Sequence, residues 1–449
     1  MLESAEKRKI WMQAAEENRE LLEGRVKNDI EKYRKGWCKL HFKDADGKPL
    51  KNTRVKVNQL SHDFGFGANI FMLDEFGDEE HNQRYRDEFK KYFNLATVPF
   101  YWDGLEPEKG KPRYDKNSPK VWRRPSPELC VEYCEENDIM PKLHCLVYDR
   151  FIPKWLPHGD MSKMEKLYEE RFRQISERFS GRPLEFEVIN ELLLEPDWTY
   201  KSAVSSKRDI IEWAFCLAKK YFPNETLVIN EANPIVSLSE AKYRSAYFMM
   251  IENAIKSGTE IDKIGLQHHL FTGVTDKTEQ DYENSIRRGE KMVDPLVILK
   301  GLDVIAELGI PLEMTEITIP TFGETDEDEE LQADLLELLY SVWFSHPSMQ
   351  DIVYWNLPDG YAFDDGSGNW NENKCRGGLW HHDLTPKKSA LRLKKLVNEV
   401  WHTDLELITD ENGYIEFRGF YGNYSVSGAD FTAEFSIHKG DSAVCEIIL

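Results

Sequence analysis

The feature that most constrains the fold is a regular alternation of apolar, strand-like runs with helix-like segments through the middle of the chain. Eight strand-like runs are each followed by a helical pattern, which favours a closed (β/α)8 barrel over an open sheet. A nucleotide-binding open sheet is disfavoured, because no Gly-x-Gly-x-x-Gly turn occurs. The predicted strands are residues 62–71, 96–102, 140–148, 184–190, 226–231, 263–269, 311–317 and 351–356. The predicted helices are residues 82–93, 126–137, 163–179, 207–221, 239–257, 294–308, 328–345 and 387–400.

The two ends of the chain have a different character. Residues 3–35 carry the apolar stripe of an amphipathic helix, and residues 37–60 alternate like a β-hairpin. Short alternating runs also follow residue 401, and neither group of strands would be stable alone. We therefore expect an N-terminal helix (1–36), a small accessory β-sandwich formed from both chain ends (37–60 plus 401–449) and the barrel (61–400).

Charge and cysteine content exclude several classes of function. The 449-residue chain has 80 acidic residues against 58 lysines and arginines, a net charge of −22, so its surface repels nucleic acid and anionic lipid. The 7 cysteines are scattered and odd in number, which argues against a disulfide framework. No apolar run approaches the ~18 residues of a membrane span. We expect no nucleic acid or membrane partner. The location expected without a secretory leader is cytoplasmic, while secretion and oligomeric state stay open.

Polar side chains collect where the predicted strands end, which is where such barrels build their active sites. Glu191 ends the fourth predicted strand and Glu316 the seventh. Two carboxyl groups facing each other are what glycosidic bond cleavage requires, one protonated and one ionised. Other candidates, expected to contact the substrate, are His144, Asn190, Gln267, His269, Trp355, Trp102 and Tyr148. Asn190 would bond a sugar hydroxyl, His269 or Gln267 would orient Glu316, and the two tryptophans would form walls for sugar rings.

Two other functions fit the same residues. Glu191 and Glu316 with His268 and His269 could bind a divalent metal, as in other barrel enzymes. These residues lack a tight ligand-spacing motif, so we expect no metal and no cofactor. A barrel that binds carbohydrate without cleaving it is the second alternative.

Several short motifs resemble those of glycoside hydrolase family 10, the retaining xylanases on a (β/α)8 barrel. The similar segments are Phe186-Glu187-Val188-Ile189-Asn190-Glu191, Ile264-Gly265-Leu266-Gln267-His268-His269, Met314-Thr315-Glu316-Ile317, His144-Cys145-Leu146-Val147-Tyr148 with Pro153-Lys154-Trp155, and Glu106-Pro107-Glu108-Lys109-Gly110. The resemblance covers about residues 62–398. It implies that Glu191 is the acid/base and Glu316 the nucleophile, with His269 bonded to Glu316. It also implies that His144, Asn190, Gln267 and Trp355 surround the reacting sugar.

The sequence departs from the family pattern in its sugar-binding segments. Where the family carries Glu-Asn-x-x-Lys-Trp after its second strand, this chain has residues 97–102 and keeps only Trp102. Tyr148 stands where the family has tryptophan, Phe363 is a candidate replacement for another tryptophan, and Ala232 lies where tyrosine is common. We therefore expect a retaining, endo-1,4-β-xylanase-like hydrolase. Another β-glycoside as substrate, and attack from a chain end, stay open.

Overall fold

The structure is a computed structural model that describes residues 2–194, 202–440 and 444–448. Its strands are β1 (Lys35–Lys43), β2 (Arg54–Gln59), β3 (Gly65–Asn69), β4 (Leu95–Pro99), β5 (Met140–Val147), β6 (Glu185–Asn190), β7 (Thr226–Glu231), β8 (Lys263–His269), β9 (Leu312–Thr318), β10 (Met349–Tyr354), β11 (Asp404–Ile408), β12 (Tyr414–Phe420), β13 (Gly422–Ser427), β14 (Thr432–Ile437) and β15 (Val444–Ile448). Its α-helices are α1 (Ser4–Glu17), α2 (Arg19–Leu21), α3 (Lys27–Arg34), α4 (Glu79–Tyr92), α5 (Trp102–Leu105), α6 (Pro127–Glu136), α7 (Met161–Phe179), α8 (Ile210–Tyr221), α9 (Ile235–Ala241), α10 (Ala246–Lys256), α11 (Glu279–Arg288), α12 (Pro295–Ala306), α13 (Asp326–Ser345) and α14 (Lys388–Lys395).

The eight strands β3 to β10 form a closed parallel barrel, which confirms the predicted (β/α)8 fold. Strand β3 pairs with β4 on one side and with β10 on the other, and this closes the cylinder. The interior strands are almost entirely buried, as expected for parallel strands covered by helices. One expectation was wrong in detail: β4 ends at Pro99, and Trp102 begins helix α5. The chain leaves the sheet after Phe100, whose amide still bonds the carbonyl of His144 at 2.6 Å.

The helices follow the prediction with local changes. Helix α13 begins where the acidic run begins: Thr325 and Asp328 form a capping box there, and the carboxylates of the first turn complement the helix dipole. The single helix predicted over 239–257 is two, α9 and α10. Helix α11 was not predicted. The N-terminal helix is interrupted by a π-helical turn at Leu22–Val26. It is docked on the barrel by Trp11, which is fully buried 4.7 Å from the ring of Phe322.

Both chain ends contribute to two small sheets that face each other. One sheet has the order β12-β1-β15, the other β11-β2-β13-β14, and their inner side chains share one hydrophobic cluster. The predicted pairing of β1 with β2 as a hairpin was wrong, because these strands lie in opposite sheets. Leu40 of β1 and Val57 of β2 both point into the shared core from opposite sides. Each strand pairs with strands of the C-terminal segment instead, β1 with β12 and β2 with β11. The division of the chain into three domains at the predicted boundaries stays a prediction.

Charged side chains fill part of the barrel interior below the carboxyl ends of the strands. Lys142 bonds Glu313 at 2.5 Å, and Lys263 bonds both Glu185 at 2.6 Å and Asp351 at 2.5 Å. The Lys142 pair links opposite strands, the Lys263 pairs link strands that are two apart, and the side chains involved are at most 12% exposed. Among the described helices, none combines the length and the apolar character needed to cross a lipid bilayer.

Candidate active site

A cavity lies at the carboxyl ends of the barrel strands and contains most of the predicted site residues. Its lining includes Glu191, Glu316, His144, Asn190, Gln267, His269, Trp355 and Tyr148, together with Phe71, Tyr101, Arg123, Arg124, Arg150, Phe151, Leu194, Ala232, Asn233, Phe271, Phe363, Trp370 and Glu372. A larger groove at the opposite end of the barrel contains none of the predicted site residues.

The two glutamates lie side by side in this cavity. The amide nitrogen of Gln267 is 3.0 Å from Oε1 of Glu191 and 3.0 Å from Oε1 of Glu316. The two carboxylate oxygens are therefore at most about 6 Å apart. Carboxyl groups about 5–5.5 Å apart are typical of retaining glycosidases, whereas inverting enzymes separate them by about 6.5–9.5 Å to admit a water molecule. The geometry fits direct attack by one of the two carboxylates.

Glu316 is buried and held by donors on three sides. Its Oε1 accepts hydrogen bonds from Asn230 and Gln267, both at 3.0 Å, and its Oε2 lies 3.3 Å from Nε2 of His269. Burial raises the pKa of Glu316 well above its usual value, the nearby charge of His144 opposes this, and the charge of Glu191 adds to it. The amide donors stabilise the ionised form and fix the direction in which the carboxylate points.

Glu191 has a more open environment. It is only partly buried, and its Oε2 accepts a short hydrogen bond of 2.5 Å from the hydroxyl of Tyr148. Its backbone has φ 53°, a left-handed conformation that is costly for a residue with a side chain. The turn at the end of β6 aims the carboxyl group into the cavity. A carboxyl group that reaches solvent can exchange its proton between reaction steps, which suits a general acid and base.

A chain of hydrogen bonds runs behind Glu316. Nδ1 of His144 lies 2.7 Å from the fully buried Glu187, and Nε2 lies 2.9 Å from the hydroxyl of Tyr101. Burial alone would lower the pKa of His144, but the charges of Glu187 and Glu316 raise it above 6.5 overall. The imidazole of His144 lies 3.9 Å from the carboxylate of Glu316, and its raised pKa favours the charged form.

The remaining predicted residues are not all brought to the cavity. Asn190 accepts bonds from Asn230 and Gln267, and Trp355 lies 5.4 Å from His144. Trp102 is outside the lining, buried 4.8 Å from Tyr168, with its indole N–H donating to Glu106.

The alternative metal site of Glu191, Glu316, His268 and His269 is not brought together. His268 is buried against Trp343 at 5.1 Å, on the helix-facing side of its strand, and burial lowers its pKa to about 3. His269 instead faces the cavity, where burial lowers its pKa to about 4. In the described ranges, the group of side chains close enough together to hold a metal ion is His144, Cys145 and Glu187. His144 and Glu187 already bond each other.

Comparison with known proteins identifies the family. The profile of glycosyl hydrolase family 10 matches residues 64–395 of this chain. The chain belongs to glycosyl hydrolase family 10. Among solved structures, the family 10 fold is shared with xylanase 10B from Thermotoga petrophila in complex with xylobiose. That likeness has a TM-score of 0.56 and 21% identity, and it covers 75% of this chain and 95% of the other.

The relatives of this family 10 chain include proteins with different names. It is 26% identical to the anti-sigma-I factor RsgI6 of Acetivibrio thermocellus, over 89% of this chain and 45% of that protein. It is 24% identical to endo-1,4-beta-xylanase 2 of Arabidopsis thaliana, over 91% of this chain and 34% of that protein. It is 24% identical to endo-1,4-beta-xylanase B of Thermotoga neapolitana, over 77% of this chain and 91% of that protein. The chain therefore spans less than half the length of two of these relatives.

Sequence reasoning gave no role to several residues that hold the family 10 site together. Asn230 donates to Glu316, Asn190 and Glu187, while Thr315 donates to Asn230 at 2.5 Å. A usable signal was present in Glu187, an acid inside an apolar strand, since a buried carboxylate needs a partner. The contact of Tyr101 with His144 had no such signal, because it depends on how the loop after β4 turns.

Proposed function

We propose that the chain is a retaining glycoside hydrolase that cleaves β-1,4-linked plant polysaccharide, with xylan as the preferred substrate class. The observation that carries the proposal is the single Gln267 amide between two carboxylates, which limits their separation to about 6 Å. Membership of the family and the names of two relatives as endo-1,4-beta-xylanases support the choice of substrate.

The proposed reaction is a double displacement. The carboxylate of Glu316 attacks the anomeric carbon and forms a covalent glycosyl ester, while Glu191 gives its proton to the departing sugar oxygen. Glu191 then takes a proton from water, the water attacks the anomeric carbon, and the ester bond to Glu316 breaks. Each displacement inverts the anomeric centre, so the product keeps the β configuration.

The arrangement of hydrogen bonds supports this assignment of roles. Glu316 accepts hydrogen bonds from the side-chain NH2 groups of Asn230 and Gln267. An NH2 group of an amide can only donate, so these bonds favour the ionised carboxylate that a nucleophile needs. Glu191 accepts bonds from the Tyr148 hydroxyl and from Gln267 and is only partly buried, so it can exchange a proton with solvent, as an acid and base needs. Burial and the charge of Glu191 raise the pKa of Glu316, and the two amide donors oppose that rise.

The proposal is tested with two variants of the catalytic pair. Glu316→Ala should abolish hydrolysis of xylan and of aryl β-xylosides. Glu191→Ala should lower kcat/KM on xylan by about 10²–10⁴-fold, the usual contribution of general acid–base catalysis. Added azide should restore turnover of an activated aryl β-xyloside by Glu191→Ala, giving a β-glycosyl azide. Substantial activity in both variants would refute the proposal. Tight binding of xylo-oligosaccharide by the unmodified protein without any turnover would identify a carbohydrate-binding barrel instead.

A further inference from the structure

An arginine without an acidic partner lines the cavity of this otherwise acidic molecule. Arg124 is half-buried, and the recorded acceptor for its guanidinium within the described part of the chain is the backbone carbonyl of Arg123, bonded to Nη1 at 2.9 Å. Across the described ranges, no carboxylate lies within 4.0 Å of it. Other arginines of this acidic chain do have such a partner, as Arg173 and Arg178 show. Among the described residues, the other donors of Arg124 have no recorded acceptor and are open to a ligand.

The guanidinium of Arg124 is held in place by aromatic rings and by the backbone. Its Cζ lies over the ring of Tyr101 at 4.2 Å and 5.7 Å from that of Phe151. Its stem passes Gly104, where an added Cβ would lie 3.2 Å from Cγ of Arg124. The carbonyl of Arg124 accepts a bond from the buried guanidinium of Arg113 at 3.2 Å. A preorganised arginine loses little conformational entropy on binding, so its charge is available to a ligand.

The position of Arg124 is close to the reacting groups. The ring centroid of Tyr101 is 5.0 Å from that of His144, so the guanidinium and the imidazole are within about 9 Å of each other. His144 in turn lies 3.9 Å from Glu316. A substituent on the reacting sugar, or on a sugar next to it, is therefore within reach of Arg124.

Two further arginines stand with Arg124 in the cavity lining, whose carboxylates are Glu191, Glu316 and Glu372. Arg123 also lines the cavity; burial and the neighbouring charge of Arg124 lower its pKa to about 10. Arg150 is a third cation in the lining, 5.6 Å from the ring of Phe151. A planar guanidinium matches a carboxylate in geometry and can bond both of its oxygens.

We propose that Arg124 binds a sugar carboxylate, so that the substrates are xylans or xylo-oligosaccharides carrying uronic acid. The proposal rests on the glycosidase function proposed above and narrows its substrate class. A neutral xylan chain offers only uncharged oxygens to this part of the cavity, whereas a uronic acid offers a carboxylate that neutralises the charge of the half-buried Arg124.

The experiment compares one polymer in two forms. The first is glucuronoxylan, and the second is the same polymer after its carboxyl groups have been reduced to primary alcohols. We expect kcat/KM for the acidic form to exceed that for the reduced form by on the order of ten-fold, the value of one hydrogen bond to a charged group. In Arg124→Gln the ratio should fall toward one. In Arg124→Lys, which keeps the charge but loses the fork of donors, it should be intermediate.

The matched control is Lys120→Gln. It removes one positive charge from the same loop at an exposed position outside the cavity lining, so the ratio should stay as in the unmodified protein. Equal activity on both polymers, or an unchanged ratio in Arg124→Gln, would overturn the proposal.

Binding separates this proposal from the proposed function. Affinity electrophoresis of Glu316→Gln through gels containing each polymer measures recognition of the carboxylate without turnover. If neither polymer is hydrolysed by the unmodified protein, the proposed glycosidase function fails, and the retardation ratio still decides whether Arg124 recognises the acid. Equal retardation in both gels would reject the role of Arg124 even in an active enzyme.

Discussion

At the scale of single residues, the charge of His144 affects the pKa of Glu316, the proposed nucleophile. The pKa of His144 is raised above 6.5 by Glu187 and Glu316, and its positive charge in turn opposes the rise in the pKa of Glu316. Replacing it with a neutral residue leaves the repulsion from Glu187 and removes the compensating cation. The loss of this cation raises the pKa of Glu316 further.

The variant His144→Asn should therefore shift the acidic limb of the kcat/KM profile to higher pH. Because Glu316 must be ionised to attack, activity is lost as pH falls through its pKa, and a higher pKa moves that loss upward. We expect a shift of at least about one pH unit for a charge at this distance. The control His381→Asn removes a half-exposed imidazole on the surface and should leave the limb in place. A limb that stays fixed or moves downward in His144→Asn would show that His144 is neutral in the working enzyme.

At the scale of secondary structure, buried ion pairs tie the barrel strands together. Lys263 of β8 bonds Glu185 of β6 and Asp351 of β10, so one cation connects three strands. Removing it leaves two buried carboxylates without a counter-ion. Breaking a buried pair in this way costs more than the intact pair contributes, because the remaining charge is desolvated without compensation.

We expect Lys263→Met to lower the free energy of unfolding by about 3–5 kcal/mol, measured by urea denaturation at pH 8. The loss should be smaller at pH 5, because protonation neutralises the two carboxylates that lost their cation. The control Lys220→Met breaks an exposed pair with Glu169 and should cost about 1 kcal/mol or less. An equal loss in both variants would mean that water reaches the interior of the barrel.

The sequence predicts these elements better than it predicts their ends. Seven of the predicted strands overlap the observed ones closely, because buried parallel strands are continuous apolar runs between turn residues. The prediction failed at Trp102, where an aromatic residue after a strand was read as part of the strand, although it begins α5 and packs away from the cavity. The two glutamates of the proposed catalytic pair were accessible from sequence, because Glu191 directly follows β6 and Glu316 lies near the end of β9. Arg124 was not, because its place depends on the long loop before α6.

At the scale of the whole molecule, the order of the strands along the chain does not show which strands pair in the two small sheets. The alternation in residues 37–60 indicated two strands correctly, but a local hairpin is only the simplest way to pair them. Their actual partners, β12 and β11, lie from 346 positions (Asn58 to Asp404) to 385 positions (Lys35 to Phe420) away along the chain. The two-sheet cluster could be anticipated from the shared character of both ends, whereas its register required long-range contacts.

The docking of this two-sheet cluster on the barrel gives a prediction at the same scale. Phe420 at the end of β12 belongs to the barrel core and lies 6.2 Å from Phe344 of α13. Trp401 stacks on the same Phe344 at 4.4 Å, so aromatic rings form the contact between the two parts. Aromatic pairs at such distances contribute about 0.5–1.5 kcal/mol beyond the area they bury.

A double-mutant cycle of Phe344→Leu and Phe420→Leu should therefore give a coupling energy of about 1 kcal/mol in chemical denaturation. The comparison is a cycle of Phe344→Leu with Phe435→Leu. Phe435 is buried inside the two-sheet cluster and stacks on Tyr424 at 5.1 Å, with no described ring contact to Phe344. Residues without shared partners add independently to within about 0.5 kcal/mol, so this second cycle should show no coupling. If both cycles gave the same coupling energy, the barrel and the two sheets would be coupled by something other than this ring contact, such as the backbone that connects them. The aromatic contact would then not be what joins them.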